Sequence, residues 1–358
     1  MIENLKDFYK NKKIFITGHN GFKGTWLTVL LSLLGAKVCG YSLKSDEEHP
    51  MFDIIGGKDL CLDNNGDIRD YENLYKVFSD FKPEIVFHLA AQPIVLKGYD
   101  SPAYTYETNV MGTVNILECA RKCGGVQSIL NVTTDKVYKN NDSGNAFREN
   151  DALGGFDPYS NSKSCSELVT ETYKNCFLTD MGTAVSTARA GNVIGGGDFA
   201  ENRIIPDCVK AALTGNDVVV RNEFSIRPYQ HVLEPLYAYL KIASLAYKDI
   251  KFADNYNVGP DKTDCVNTGT LALLFCKAWG EGLKWINKTV QGAPKEAGFL
   301  ILDNSKIKNE LGIKPVTGIE EAVKLTADWF KAYRNKTDMK TVTALQAEEF
   351  LKREGEIL

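Results

Sequence analysis

The chain has 358 residues, a formal net charge of −4, 44% hydrophobic residues and 25% charged residues. That balance belongs to an ordinary globular protein and excludes disordered, collagen-like and coiled-coil chains. A pI near 5.7 offers no basic face for releasing nucleic-acid counterions, so no nucleic-acid partner is expected. A small anionic ligand needs only a local positive pocket and stays open. No run approaches the ~18 apolar residues of a membrane span, and residues 1–7 carry no secretory apolar core. The expectation is no membrane partner. The 9 cysteines are an odd count with no Cys-x-x-Cys, which reads as reduced thiols, no metal site and a cytoplasmic location.

In chain order, Lys13–Thr17 is a short β-branched run that stops at a glycine. Residues 24–34 repeat apolar side chains at helical spacing until Gly35. Lys37–Tyr41 reads as the next strand and Asp70–Phe81 as a helix burying Leu74, Val77, Phe78 and Phe81. Glu84–Leu89 is a strand. Thr108–Cys123 is a long helix with Val110, Val114, Leu117 and Cys119 inward. The strand Ser128–Thr133, a helix over Tyr159–Leu178 and the strand Gly182–Arg189 follow. Such alternation, with strands apolar throughout, predicts an α/β fold: a doubly wound parallel sheet covered on both faces. The expected division is residues 1–190 for a Rossmann-type domain and 191–335 for a smaller C-terminal α/β substrate lobe with interleaved segments. Residues 336–358 read as a surface helix.

Between the first strand and the first helix stands Gly18-His19-Asn20-Gly21-Phe22-Lys23-Gly24. Glycines here permit a tight turn and close approach of a pyrophosphate, which the free N–H groups and positive end of the helix then hold. The ribose reader is ambiguous. An NAD site usually places an acid at the end of the second strand, where this chain has Tyr41-Ser42-Leu43-Lys44. Ser42 suits a 2′-hydroxyl and Lys44 a 2′-phosphate, which leaves NAD and NADP both open. Asp67 and Ile68 are candidates for the adenine edge. Leu89-Ala90-Ala91 ends a strand with small residues that let a cofactor come close.

Tyr159-Ser160-Asn161-Ser162-Lys163 opens a helix, and residues four apart share a face. A cation beside Tyr159 is expected to draw its phenol below the usual ~10 and make it a working base. Thr134 ends the preceding strand and can bond the same substrate hydroxyl.

The glycine loop, Leu89-Ala90-Ala91, Thr133-Thr134-Asp135-Lys136-Val137-Tyr138 and Tyr159-x-x-x-Lys163 together resemble the extended short-chain dehydrogenase/reductase family. The stretches 18–26, 188–198 and 227–236 are similar more narrowly to the CDP-glucose 4,6-dehydratases, over roughly residues 8–335. The dehydratases for dTDP-glucose carry Asp-Glu where this chain has Asp135-Lys136, and epimerases of the superfamily carry no acid there. The resemblance implies a lyase that turns CDP-glucose into CDP-4-keto-6-deoxyglucose and water through tightly held NAD. It implies catalytic roles for Thr134, Asp135, Lys136, Tyr159 and Lys163. For the cofactor it implies Gly18, His19, Gly21, Phe22, Lys23, Gly24, Ser42, Asp67, Ile68, Leu89, Ala90, Ala91, Thr108, Thr133, Tyr159 and Lys163. It implies that Asn192, Arg203 and Arg227 reach the substrate diphosphate, and that two copies pair as a homodimer. Where the family often has Trp, this chain has Phe199 and Tyr229. The rival readings are an epimerase or decarboxylase on the same scaffold, which Asp135 speaks against, and a non-catalytic cofactor sensor, which would not need the Tyr159–Lys163 pair.

Overall fold

The computed structural model describes residues 4–45, 50–140, 144–288 and 300–357. Seven parallel strands form the central sheet: β1 (Lys13–Thr17), β2 (Lys37–Ser42), β3 (Leu62–Asn65), β4 (Ile85–His88), β5 (Ser128–Thr134), β6 (Ala184–Ala190) and β7 (Asn255–Val258), in the order β7-β6-β5-β4-β1-β2-β3. Crossover helices must lie on both faces of such a sheet, so its central strands are buried on both sides, while the edge strand β3 stays partly exposed.

The alternation of side chains shows this directly. Ile14, Ile16, Ile85, Phe87, Leu130 and Val132 enter one core, with Trp26 and Leu30 from the helix α1 (Phe22–Leu33). Phe15, Val86 and Ile129, the residues between them, enter the other core with Leu74 and Phe78 of α2 (Tyr71–Phe81) and with Ile116 and Leu117 of α3 (Gly112–Cys123). Helix α4 (Pro158–Tyr173) packs beside α3 on that second face. Asp70 caps α2 from outside it, accepting from the Asn73 N–H at 3.2 Å.

The expected inward set on residues 108–123 is only half right. Leu117 and Cys119 are buried, but Val110 and Val114 are not. A π-helical stretch, Glu107–Met111, precedes α3 and rotates the face, so Thr108, Asn109, Gly112 and Thr113 point inward instead.

The second half of the chain is woven into the first. β7 completes the sheet by pairing with β6, Asn257 opposite Arg189. Helix α5 (Ile204–Thr214) packs on α7 (Thr268–Trp279), and α6 (Leu233–Lys248) lies across β5 and β6. Short two-residue strands, Val193–Ile194 with Gln230–His231 and Ile226–Arg227 with Val266–Asn267, hold the remaining connections. After α8 (Ile319–Arg334) comes α9 (Met339–Arg353).

The C-terminal segment is not a free surface helix. α9 packs against α1 and buries Met339, Thr343, Ala347, Phe350 and Leu351. Beyond it, Glu356 is buried and accepts from the Leu5 N–H at 2.6 Å and the Tyr237 hydroxyl at 2.9 Å, tying the two ends of the described chain together. Its polar sequence hid one apolar stripe. Leu351→Ala should therefore destabilise the fold by about 2–5 kcal/mol, the cost of emptying a core leucine site. Urea unfolding followed by circular dichroism measures it; a change near zero would return the helix to the surface.

Candidate active site

The strand order reverses between β1 and β4, and the crevice at their C-terminal ends is where open α/β sheets take ligands. The glycine loop lies there. Gly18 has φ 75°, and a Cβ on it would stand 2.8 Å from the Ala90 nitrogen. A Cβ on Gly24 would stand 2.0 Å from the Gly18 oxygen. Gly21 is the extended cap of α1, so Phe22, Lys23 and Gly24 present first-turn N–H groups, the kind that receive a phosphate. Leu89 and Ala90 follow β4, with the Leu89 N–H bonded to the Thr17 carbonyl and the Ala90 N–H to the Thr17 hydroxyl; Ala91 follows them.

His19 does not open toward a ligand. Its ring is fully buried in the space a Cβ on Gly40 would fill, and its Nε2 lies 2.9 Å from Asp63. Burial lowers its pKa, opposed by Asp63. Ser42 donates to Asn20 Oδ1 at 2.6 Å, and Asn20 in turn donates to the Leu43 carbonyl. Asp67 is engaged: Arg69 bonds its carboxylate with Nε and with Nη2 at 2.7 Å, which holds it below the usual carboxylate range. Ile68 is buried beside Gly112. The Thr108 hydroxyl is buried with no hydrogen-bond partner among the described residues.

The catalytic candidates converge on α4. Asp157 caps this helix by accepting from the Ser160 N–H at 3.0 Å, and Pro158 fills its first position. Tyr159 and Lys163, one turn apart, are both buried. Thr134 ends β5 and donates to Asp135 Oδ1 at 3.0 Å; Lys136 Nζ lies 2.9 Å from the same oxygen and 3.4 Å from Asn192 Oδ1. Asp135 is fully buried, and its Oδ2 has no hydrogen-bond partner among the described residues.

The electrostatics differ from the expected cation-assisted phenol. Burial pushes Tyr159 up to about 12, with Thr134 the leading opposing contact, while Lys163 turns its Nζ onto the Val132 carbonyl at 3.0 Å. Burial also lowers Lys163 to about 8, opposed by Glu167. Lys23, on the glycine loop, is lowered to about 7 by burial and then by Lys163, and stands 5.9 Å from the Tyr239 ring centroid. The dry, cation-rich pocket favours neutral side chains over charged ones.

Arg203 precedes α5, bonds Asp198 at 3.2 Å and acts electrostatically on Tyr159 and Lys23, which brings it to the same site. Arg227 is buried on its short strand and donates to the Ile226 carbonyl. Phe199 packs edge-on against Trp329 and Phe330, which accounts for that position through the core. Sequence reading missed Asn20, Asp63, Glu167 and Arg189; only Glu167, one turn beyond Lys163, had a positional signal.

The glycine cradle, the open first turn of α1 and the orphaned Thr108 hydroxyl fit a dinucleotide. Among the described residues no group of three His, Cys, Asp or Glu side chains could hold a metal. Sheet, loop and Tyr–Lys pair define a Rossmann-type enzyme of the short-chain dehydrogenase/reductase class. The model of the GDP-mannose 4,6 dehydratase family matches residues 15–326, and the chain belongs to that family. It is 42% identical to CDP-glucose 4,6-dehydratase of Salmonella typhimurium, over 93% of this chain and 94% of that one. An epimerase structure from Methanothermobacter thermautotrophicus matches 93% of this chain and 97% of its own with TM-score 0.79 and 21% identity. The dTDP-glucose 4,6-dehydratase of Bacillus anthracis, in complex with NAD, matches 92% and 99% with TM-score 0.74 and 19% identity.

Gly24→Ala should weaken dinucleotide binding at least tenfold, because its methyl group would force the loop off Gly18, an overpacking strain of about 1–3 kcal/mol. Titration calorimetry on the cofactor-stripped chain reads this; unchanged affinity would show that the loop does not form the cradle.

Proposed function

We propose that the chain is a lyase that converts CDP-D-glucose to CDP-4-keto-6-deoxy-D-glucose and water, with NAD held through each turnover. The observation that carries this reading is Asp135 with Lys136, a buried acid and a partly exposed cation placed directly after Thr134 and beside Tyr159. A simple oxidation needs no such pair, and an elimination does. NAD, held by the glycine loop and Lys163, would supply a hydride acceptor for carbon 4 and a hydride donor for carbon 6.

Among this chain's own groups, Tyr159 takes the proton of the sugar 4-hydroxyl. A phenol held near 12 by burial must lose its proton for that step; Thr134, which bonds it, and the charge of Arg203 are the groups that oppose the burial. Thr134 orients the 4-oxygen, and Lys163 holds the nicotinamide ribose. The 4-ketone acidifies the proton at carbon 5, which Lys136 or a base it assists removes and gives back to carbon 5 when the hydride reaches carbon 6. Asp135 protonates the departing 6-hydroxyl, since hydroxide itself leaves poorly. Asn192, Arg203 and Arg227 are assigned to the diphosphate, where guanidinium groups donate bidentately. NAD is preferred to NADP because Ser42 and Asn20 place polar atoms at the end of β2, while Arg69 is committed to Asp67 and Glu107. Nine unbridged cysteines agree with a cytoplasmic location, and among the described residues no helix is long and apolar enough to cross a membrane. Incubation with CDP-, dTDP-, UDP- and GDP-glucose, read by the alkaline ultraviolet band of the 4-keto sugar, tests the activity and the base together; no band with any of them would refute the reading.

Tyr159→Phe should retain dinucleotide and substrate binding and lose activity by ~10²–10⁴-fold, the usual effect of deleting a general base. Turnover within about threefold of wild type would remove Tyr159 from that role.

Asp135→Asn/Lys136→Met should still oxidise the sugar and then stall. In a single turnover with CDP-glucose, the reduced-dinucleotide absorbance is expected to build up with little 6-deoxy product. Rapid product formation would leave the pair as a structural ion pair.

We also assign a homodimer through the α3–α4 face. Met111, Leu168 and Phe177 are 50%, 53% and 42% exposed on it, a patch a monomer would leave wet. Ile116 of α3 is core, and Val169 and Tyr173 of α4 pack against the same core. Light scattering should give near twice the 39.7 kDa of one chain; a monomer at micromolar concentration would exclude the pairing.

A further inference from the structure

The turn that carries Asp135 and Lys136 is a single 3₁₀ turn, Asp135–Val137. Its entry is anchored by β5. Thr134 is in register with Ala190, and the Thr133 hydroxyl donates to Glu167 on α4. Glu167 is itself locked. Its carboxylate accepts from Arg189 Nε at 3.0 Å, from Arg189 Nη2 at 2.9 Å and from the Thr187 hydroxyl at 2.8 Å, and the Glu167 and Arg189 side chains are each 2% exposed.

The exit of the turn is held by a different set of bonds. Tyr138, the residue after the turn, receives Arg189 Nη1 at 2.9 Å and donates to Asn257 Oδ1 at 2.6 Å. Asn257 lies on β7 and donates onward to the Phe147 carbonyl at 2.9 Å. The Tyr138 ring stacks on Phe147 with centroids 5.0 Å apart and planes within 4°. The Val137 carbonyl is held separately by the Ser164 hydroxyl and the Gly154 N–H, each at 2.8 Å. Loss of the Tyr138 hydroxyl thus leaves the turn folded, with the Lys139 N–H still on the Ala152 carbonyl, and removes the bridge from Arg189 to Asn257 on its far side. None of these groups belongs to the chemistry assigned above.

We propose that Tyr138 is a positioning residue for the elimination half of the reaction. Its hydroxyl, bridging Arg189 and Asn257, fixes where Asp135 and Lys136 stand over the sugar. Thr134, Tyr159 and Lys163 are held by β5 and by α4, so the oxidation half does not depend on this anchor. This inference rests on the dehydratase reading and adds to it a division of labour between the two ends of one turn. Displacements of about 1 Å can cost as much as 10²-fold in rate, so loosening one end is enough to separate the two steps. The buried Glu167–Arg189 pair gives the anchor its rigidity, because a charge pair without water has one well-defined geometry or a large penalty.

The test is a single turnover of Tyr138→Phe and Asn257→Ala, each as holoenzyme with CDP-glucose, beside wild type. Two signals are followed: the rise of reduced-dinucleotide absorbance for oxidation, and quenched-sample detection of 6-deoxy product for elimination. Thermal melting and bound-dinucleotide content are recorded on the same samples. The expected result for Tyr138→Phe is an oxidation rate within about twofold of wild type, product formation slowed about tenfold, and unchanged cofactor content. Asn257→Ala, which removes the acceptor but keeps the phenol, should give the same accumulation. Equal slowing of both steps would overturn the proposal in favour of a general structural role, and so would no slowing of either. Failure of wild type to make product would instead refute the dehydratase reading itself, and the two failures are therefore distinct.

Discussion

Everything at the site depends on two backbones meeting without side chains between them. Gly18 lies so close to the end of β4 that a Cβ would stand 2.8 Å from the Ala90 nitrogen, and Gly24 so close to Gly18 that a Cβ would stand 2.0 Å from its oxygen. That contact puts the first turn of α1 at the crevice where the strand order reverses, with its N–H groups exposed to a ligand. A dinucleotide lying from this turn along the crevice is brought toward the Tyr159–Lys163 face of α4. The rest of the fold maintains that arrangement. β1, β4 and β5 are parallel neighbours in the sheet, and α9 closes over the outside of α1.

The second constraint is dryness. Lys23 and Lys163, two cations of the site, are pushed down to about 7 and about 8, and the phenol of Tyr159 up to about 12, in each case chiefly by burial. Burial thus holds all three groups toward their neutral forms. Deeper in, Glu167 and Arg189 form a buried ion pair, and Glu167 raises Arg189 further above its already high value against the effect of burial.

The two halves of the chain meet beside this pair. β7 comes from residues 255–258, yet it pairs with β6, and its Asn257 reaches the turn that carries Asp135. Val193–Ile194 and Gln230–His231 pair directly beyond the sheet, near Asn192, which meets Lys136. The second half of the chain is in this way joined, through short bonds, to the turn that carries Asp135 and Lys136.

By itself the sequence determined the elements whose signals are local. The alternation of apolar strands and helices, the glycine spacing at 18, 21 and 24, and the four-residue interval from Tyr159 to Lys163 each depend on neighbours a turn or a strand away, and the structure places them as read. Other features depended on groups distant in sequence. The π-helical stretch at Glu107–Met111 rotated a face that ideal periodicity assigned to Val110 and Val114. α9 is polar on average and was buried by the stripe it turns toward α1. The charge beside Tyr159 suggested a lowered pKa, but burial, a property of the whole packed site, outweighed it. Asn257 stands 119 residues from Tyr138 and bonds it. Spacing along the chain encodes periodicity and turns; desolvation and long-range pairing exist only once the sheet has assembled, and these decide which groups the site can use.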